Sequence, residues 1–175
     1  ALGYYERTVT TLLNARLLPL IRDLLHNVRS VMRMLKIQAP LMIVRGDGSL
    51  MHADYAEERP VETVLSGPAA SVTGARFLSG CKDGVVVDIG GTTTDIAALH
   101  DGECKVSEEG AVLSGWRTRV RALEIFTFGL GGDSEIAISA DGNITVGPQK
   151  VVPLCRSDLV SGRTGLTPTD VLHAS

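Results

Sequence analysis

The first thirty-odd residues carry apolar side chains at helical spacing. From Tyr5 to Lys36, Val9, Leu12, Leu13, Leu17, Leu20, Leu24, Leu25, Val28, Val31, Met32 and Leu35 recur every three or four positions, the period of one helix face. Pro19 has no amide to donate, so the pattern predicts a kink or two consecutive helices there. LMIVR, 41–45, then predicts a short strand closed by the turn GDGS, 46–49. PVETVLSGPAASVTGARFLSG, 60–80, predicts an extended piece and a helix of small residues that opens at Ser66-Gly67-Pro68 and stops at Gly80.

Beyond residue 83 the period shortens to that of strands. GVVVDIG, 84–90, is a continuous apolar run that predicts a buried strand, and DIAALHDGECKVSEEG, 95–110, supplies two more around the turn His100-Asp101-Gly102. RALEIFTFG, 121–129, predicts a strand running into the glycine cluster GLGGDS. EIAISADGNITVGP, 135–148, predicts a hairpin turning at Asp141-Gly142-Asn143. From Val151 onward no long periodic element is visible, and the segment reads as mostly irregular. The order of elements predicts a single α/β domain, with α+β as the alternative: a helical region over 1–37, a mixed sheet and helix core over 38–160, and a tail over 161–175.

Composition narrows the partners. Among 175 residues, 17 Lys and Arg face 20 Asp and Glu, a balance without the basic footprint expected for nucleic acid or an anionic membrane surface. The basic excess on the first helix, Arg7, Arg16, Arg22, Arg29, Arg33 and Lys36 against Glu6 and Asp23, reads as a solvated face or a docking face. Arg16, Arg22 and Asp23 also interrupt the apolar stretches well short of a membrane span. Cys81, Cys104 and Cys155 are odd in number and widely separated, which fits a reducing cytoplasm better than a disulfide framework. His26, His52, His100 and His173 lack zinc-ligand spacing. His52 with Asp54 is the most polar place in the first half.

The densest chemistry lies in VVVDIGGTTTDIA, 85–97. A strand that runs into Gly90-Gly91 can turn sharply and aim several amides one way, a concavity suited to phosphate. Thr92, Thr93 and Thr94 add hydroxyls, and Asp88 can hold a magnesium ion through water. The turn leads into a strand rather than a helix, and no GxxxxGK[ST] is present, so neither a Walker loop nor a dinucleotide fingerprint fits. Two readings stand: a phosphate clamp, or a tight hairpin whose threonines favour strands and whose aspartates cap the turn.

This stretch, with LLNARLLP (12–19), SGPAAS (66–71), GLGGDS (129–134), DGNITVGP (141–148) and TPTDV (167–171), resembles the hydantoinase/oxoprolinase A family over nearly the whole chain. The resemblance implies a ribonuclease-H-like domain of the actin-like ATPase superfamily, a mixed sheet with flanking helices. It implies ATP and magnesium as cofactors and ATP-dependent opening of a cyclic amide as the activity. Asp88, Gly90, Gly91, Thr92, Thr93 and Asp95 would form the phosphate hairpin, with Asp88 holding magnesium through water. Gly129, Gly131, Gly132 and Ser134 would form the turn toward the nucleotide. The implied partners are an N-terminal ATPase domain with a second phosphate loop, a second subunit or further copies of the chain, and a small cyclic amide. The start at ALGYYER and the stop at LHAS suggest a piece of a longer protein, inactive alone. A sugar-kinase-like phosphotransferase and a non-catalytic interaction domain are the alternatives. The chain departs from the family pattern at Asp133, where the turn has glycine, and at Ser71, where SGPAAG is typical.

Overall fold

The computed structural model describes residues 3–153, Arg156 and residues 165–174. The chain begins with α1 (Tyr4–Met34), β1 (Met42–Val44), β2 (Leu50–His52), α2 (Ala53–Glu58), a 3-10 turn at Pro60–Thr63 and α3 (Ser66–Ser79). Strands β3 (Gly84–Ile89) and β4 (Thr94–His100) follow. Five two-residue strands come next: β5 (Glu103–Cys104), β6 (Val106–Ser107), β7 (Val112–Leu113), β8 (Trp116–Arg117) and β9 (Ala122–Leu123). Then come β10 (Phe126–Phe128), β11 (Ser134–Ile138), β12 (Ile144–Lys150) and α4 (Pro168–Ala174). Two compact units form, one from Ala1–Gly84 and Ala98–Glu124, the other from Val85–Ala97 and Ile125–Ser175.

In the first unit α1 runs through Pro19 as one helix, so of the kink and the two consecutive helices expected there, the second does not occur. One missing hydrogen bond is outweighed there by packing along the rest of the helix. Ile21 and Leu25, one turn apart, reach a cluster of Met51, Ala53 and Ala56 with Leu41 and Ile43. Asn14, about three turns earlier on the same face, ties the helix further: its Nδ2 donates to the Glu58 carbonyl and its Oδ1 accepts from the Val61 N–H, each at 3.2 Å. The helix ends in a double closure, Lys36 N–H to Arg33 C=O and Ile37 N–H to Met32 C=O, with Lys36 left-handed at φ 55°.

β1 and β2 pair antiparallel, Ile43 opposite Met51, across the predicted turn. Asp47 Oδ1 accepts from both the Ser49 N–H and hydroxyl in that turn. Residues 60–63 form a 3-10 turn rather than the expected extended piece. α3 stops at Gly80 as predicted. β4 and β5 pair around Asp101-Gly102, both left-handed, as a two-residue hairpin requires.

The second unit holds most of the sheet ordered β10-β4-β3. The connection from β3 to β4 is four residues, too short for a parallel crossover, so the two form a hairpin. β10 lies antiparallel on β4 with Phe126 opposite Ile96, Thr127 opposite Asp95 and Phe128 opposite Thr94. β11 and β12 form the predicted hairpin, closed by Gly142 N–H to Ser139 C=O. Three expectations change here. The valine strand is not buried: Val85 is 68%, Val87 51% and Ile89 68% exposed. The strand expected over 121–129 is split into β9 and β10 at Glu124–Ile125, where the chain passes from one unit to the other. The tail contains α4, opened by Thr167 and Asp170, which exchange backbone-to-side-chain hydrogen bonds in a capping box.

Candidate functional site

The two glycine turns of the second unit meet. Gly132 N–H donates to the Gly90 carbonyl at 2.9 Å and Asp133 N–H to the Gly91 carbonyl at 2.8 Å. The approach leaves no room for side chains. A Cβ on Gly131 would stand 2.5 Å from the Gly90 oxygen and 2.6 Å from the Gly91 carbonyl carbon and oxygen. A Cβ on Gly91 would stand 2.4 Å from Asp133 Oδ2. Gly131 is therefore needed for backbone contact, and Gly91 leaves the space that the Asp133 carboxylate occupies.

Their carbonyls face the partner turn, and the amides that remain are available. Gly90 N–H closes the hairpin onto the Thr93 carbonyl at 2.9 Å, while the N–H groups of Gly91, Thr92 and Thr93 have no protein acceptor among the described residues. Gly91 and Thr92 are exposed and Thr93 is half-buried. Unpaired amides at the tip of a glycine turn, with threonine hydroxyls beside them, fit the oxygens of a phosphate. The side chain of Asp88, half-buried on β3, makes no ion pair or hydrogen bond among the described residues and fits a hydrated divalent cation.

The remaining sequence-derived positions divide by role. Asp95 Oδ1 accepts from the Thr127 hydroxyl at 2.5 Å across the β4–β10 pair, so this carboxylate is fixed in orientation. Ser134 is fully buried, and its Oγ accepts from the Gly131 N–H at 2.9 Å, closing the second turn from inside. Gly129 lines an apolar concavity of about 540 Å³ with Thr94, Ile96, Phe128, Leu130, Val146 and Pro148. Because side chains alternate along β4, this concavity and Asp95 lie on opposite faces of the sheet. Thr94 itself is buried and donates to the Leu130 carbonyl at 2.7 Å, fixing the approach to the second turn.

Sequence reasoning missed Thr169. Its N–H and its hydroxyl both donate to the Gly132 carbonyl, at 3.2 and 2.7 Å, which binds the start of α4 to the second turn. The TPTDV string was the signal for it.

Elsewhere the polar clusters are internally satisfied. A concavity of about 770 Å³ in the first unit is lined by His26, His52, Asp54 and Glu57 among others. Arg29 holds both carboxylates there, Asp54 at 2.5 Å and Glu57 in a second ion pair. His52 caps α2 through the Asp54 N–H. Burial, and then the charge of Glu124, raise the Cys104 thiol above its ordinary pKa, so it is a poor thiolate nucleophile. Cys155 lies outside the described residues. No group of three or more metal-ligating side chains occurs among the described residues. No helix there is long and apolar enough to cross a membrane.

A glycine hairpin on an antiparallel sheet, docked against a second glycine turn, belongs to a domain with the actin-like ATPase fold, the class its structural neighbours also indicate. The chain belongs to the hydantoinase/oxoprolinase family, which it matches over residues 7–173. It is 28% identical to the caprolactamase subunit alpha of Pseudomonas jessenii, over 94% of this chain and 24% of that protein. It is also 28% identical to the acetophenone carboxylase gamma subunit of Aromatoleum aromaticum, over 98% of this chain and 24% of that one. The crystal structure of the ATP-dependent caprolactamase from Pseudomonas jessenii superposes with TM-score 0.67 at 28% identity, over 94% of this chain and 24% of that one. Nucleotide-free acetone carboxylase superposes with TM-score 0.60 at 22% identity, over 72% of this chain and 18% of that one, a likeness of fold. The chain thus spans about a quarter or less of the length of these relatives.

Proposed function

We propose that this chain is the phosphate-binding domain of an ATP-dependent enzyme that opens cyclic amides, and that the turn between β3 and β4 holds the nucleotide's phosphates. The observation that carries this reading is the row of unpaired N–H groups at Gly91, Thr92 and Thr93, on a turn locked in place by Gly131, Gly132 and Asp133. When bound, magnesium ATP would supply the phosphoryl group that activates an amide or carbonyl oxygen. What the chain itself contributes is position and charge. Gly91, Thr92 and Thr93 would donate N–H groups to the phosphate oxygens, the Thr92 and Thr93 hydroxyls would add two donors, and Asp88 would hold magnesium through water. Asp95, fixed by Thr127, keeps the strand after the turn in register. No nucleophilic triad is needed for such a reaction.

The relatives named as subunits support a second polypeptide as partner, and the quarter of their length that this chain spans supports a further domain, to which the family resemblance gives the other phosphate loop. The odd, scattered cysteines support a reducing cytoplasm. A second reading, phosphorylation of a carbonyl oxygen in a carboxylase, is supported by the equal 28% identity to the acetophenone carboxylase subunit. Calorimetric titration of the intact protein with ATP, with and without magnesium, tests the shared core of both readings. Magnesium-dependent binding that weakens about tenfold or more in Asp88→Asn is expected, the range seen when an outer-sphere metal partner is lost. Failure of the intact protein to bind nucleotide at millimolar concentration would overturn the reading. ATP turnover stimulated by lactams, hydantoins or 5-oxoproline, rather than by a ketone with bicarbonate, would separate the two chemistries.

A further inference from the structure

The second glycine turn carries a charge that a phosphate cradle does not need. Asp133 is half-buried, its N–H is bound to the Gly91 carbonyl, and its own carbonyl accepts from the Val151 N–H at 2.9 Å. Its Oδ2 lies where a Cβ on Gly91 would be, 2.4 Å away, and its Cγ is 3.3 Å from the same point. A carboxylate therefore lies over the α-carbon of the residue whose N–H begins the unpaired row. No cation neutralises it: none of the ion pairs among the described residues involves Asp133.

We propose that Asp133 is a specificity-determining residue that makes this turn accept a phosphate only when a divalent cation accompanies it. The inference rests on the phosphate reading of the β3–β4 turn and deepens it. A bare phosphate brings two or more negative charges toward the same amides and meets a fixed negative charge beside them. A chelated phosphate presents the cation's field as well, which the carboxylate attracts, directly or through water. Glycine at position 133 would leave both forms free to enter on the strength of the amides alone. Asp133 thus converts a general anion cradle into one that discriminates by charge state, and it does so without being a phosphate donor itself.

The test uses the intact protein and its Asp133→Asn and Asp133→Gly variants, titrated with ATP in excess magnesium and with ATP in excess chelator. Asparagine keeps the size and the backbone bonds and removes the charge; glycine removes the side chain and provides an independent variant should asparagine fail to fold. The native protein is expected to prefer the magnesium form strongly. In both variants the affinity for metal-free ATP should rise about tenfold, the effect of removing one unit charge worth about 1.4 kcal/mol, and the preference for magnesium should shrink accordingly. Variants that bind magnesium ATP with the native preference intact would overturn the role of Asp133 and leave the phosphate reading standing. Absence of nucleotide binding in all three proteins, in either form, would overturn both.

Discussion

The cluster around Leu25 and the paired glycine turns are both tightly closed, by opposite means. Leu25 is 1% exposed and fills the space between α1, Met51, Ala53 and Ala56, so closure there is a matter of side-chain volume. At the paired turns closure comes from main chain: a Cβ on Gly131 would meet the Gly90 and Gly91 carbonyls, and one on Gly91 or Gly132 would meet the Asp133 carboxylate or the Thr169 hydroxyl. The first arrangement tolerates another apolar side chain as long as the volume is kept. The second tolerates no volume at all, and in exchange presents main-chain donors at its surface. On the proposed function, the first region serves packing and the second serves ligand chemistry.

The largest expected effect follows from emptying the first region. Leu25→Ala should destabilise the protein by about 3 kcal/mol or more through lost burial and the cavity left behind, measured by denaturant unfolding. Amide exchange should accelerate first in α1, β2 and α2. Equal acceleration at the glycine turns would break the contrast. Next, Gly131→Ala should cost about 2 kcal/mol from overpacking and remove nucleotide binding altogether, a loss out of proportion to its stability effect. A variant that binds normally would show that the turns can part without consequence.

Thr167→Ala sharpens the comparison on a smaller scale. It removes the reciprocal cap at the start of α4, a change of about 1 kcal/mol, and should loosen Thr169 from the Gly132 carbonyl. Faster exchange at Gly132, Asp133 and Thr169 with little change at Leu25 is the expected pattern. The smallest effect concerns Asp47. Burial alone would raise its pKa, but hydrogen bonds from the Ser49 hydroxyl and N–H, with the charges of Arg45 and Arg121, bring it below the ordinary carboxylate value. A depressed folded value means the contribution is complete above the ordinary pKa and is lost as pH falls through the folded one, below about pH 4. Asp47→Asn should flatten the acid limb of the stability profile modestly; an unchanged limb would show that the turn contributes nothing there.

What could be read from the chain was mainly local. Eleven apolar positions at helical spacing were enough for α1, and the Asp101-Gly102 and Asp141-Gly142-Asn143 turns placed two hairpins correctly. α2 escaped because six residues are too few to display a helical period, and MHAD reads equally as a turn. α4 escaped although Thr167-Pro168-Thr169-Asp170 is a capping signal, since only seven residues follow from it. The continuous run of valines in β3 states what those side chains favour, not what covers them, and among the described residues Val85, Val87 and Ile89 remain largely exposed. For the site, the composition of the first turn pointed to phosphate. The docking of Gly131 and Gly132 onto Gly90 and Gly91 joins segments forty residues apart through main-chain atoms, and no side-chain pattern encodes it.

A turn that works through peptide N–H groups leaves a distinctive genetic footprint. In a saturation scan, replacing Thr92 by alanine removes a hydroxyl and keeps the amide, so most substitutions there should pass selection with modest loss. Proline alone deletes the N–H, and at Thr92 or Thr93 it would be the informative allele. Positions 91 and 131 would show the inverse profile, accepting little besides glycine. Alanine scanning would therefore record the supports of this site and pass over the groups that make it one.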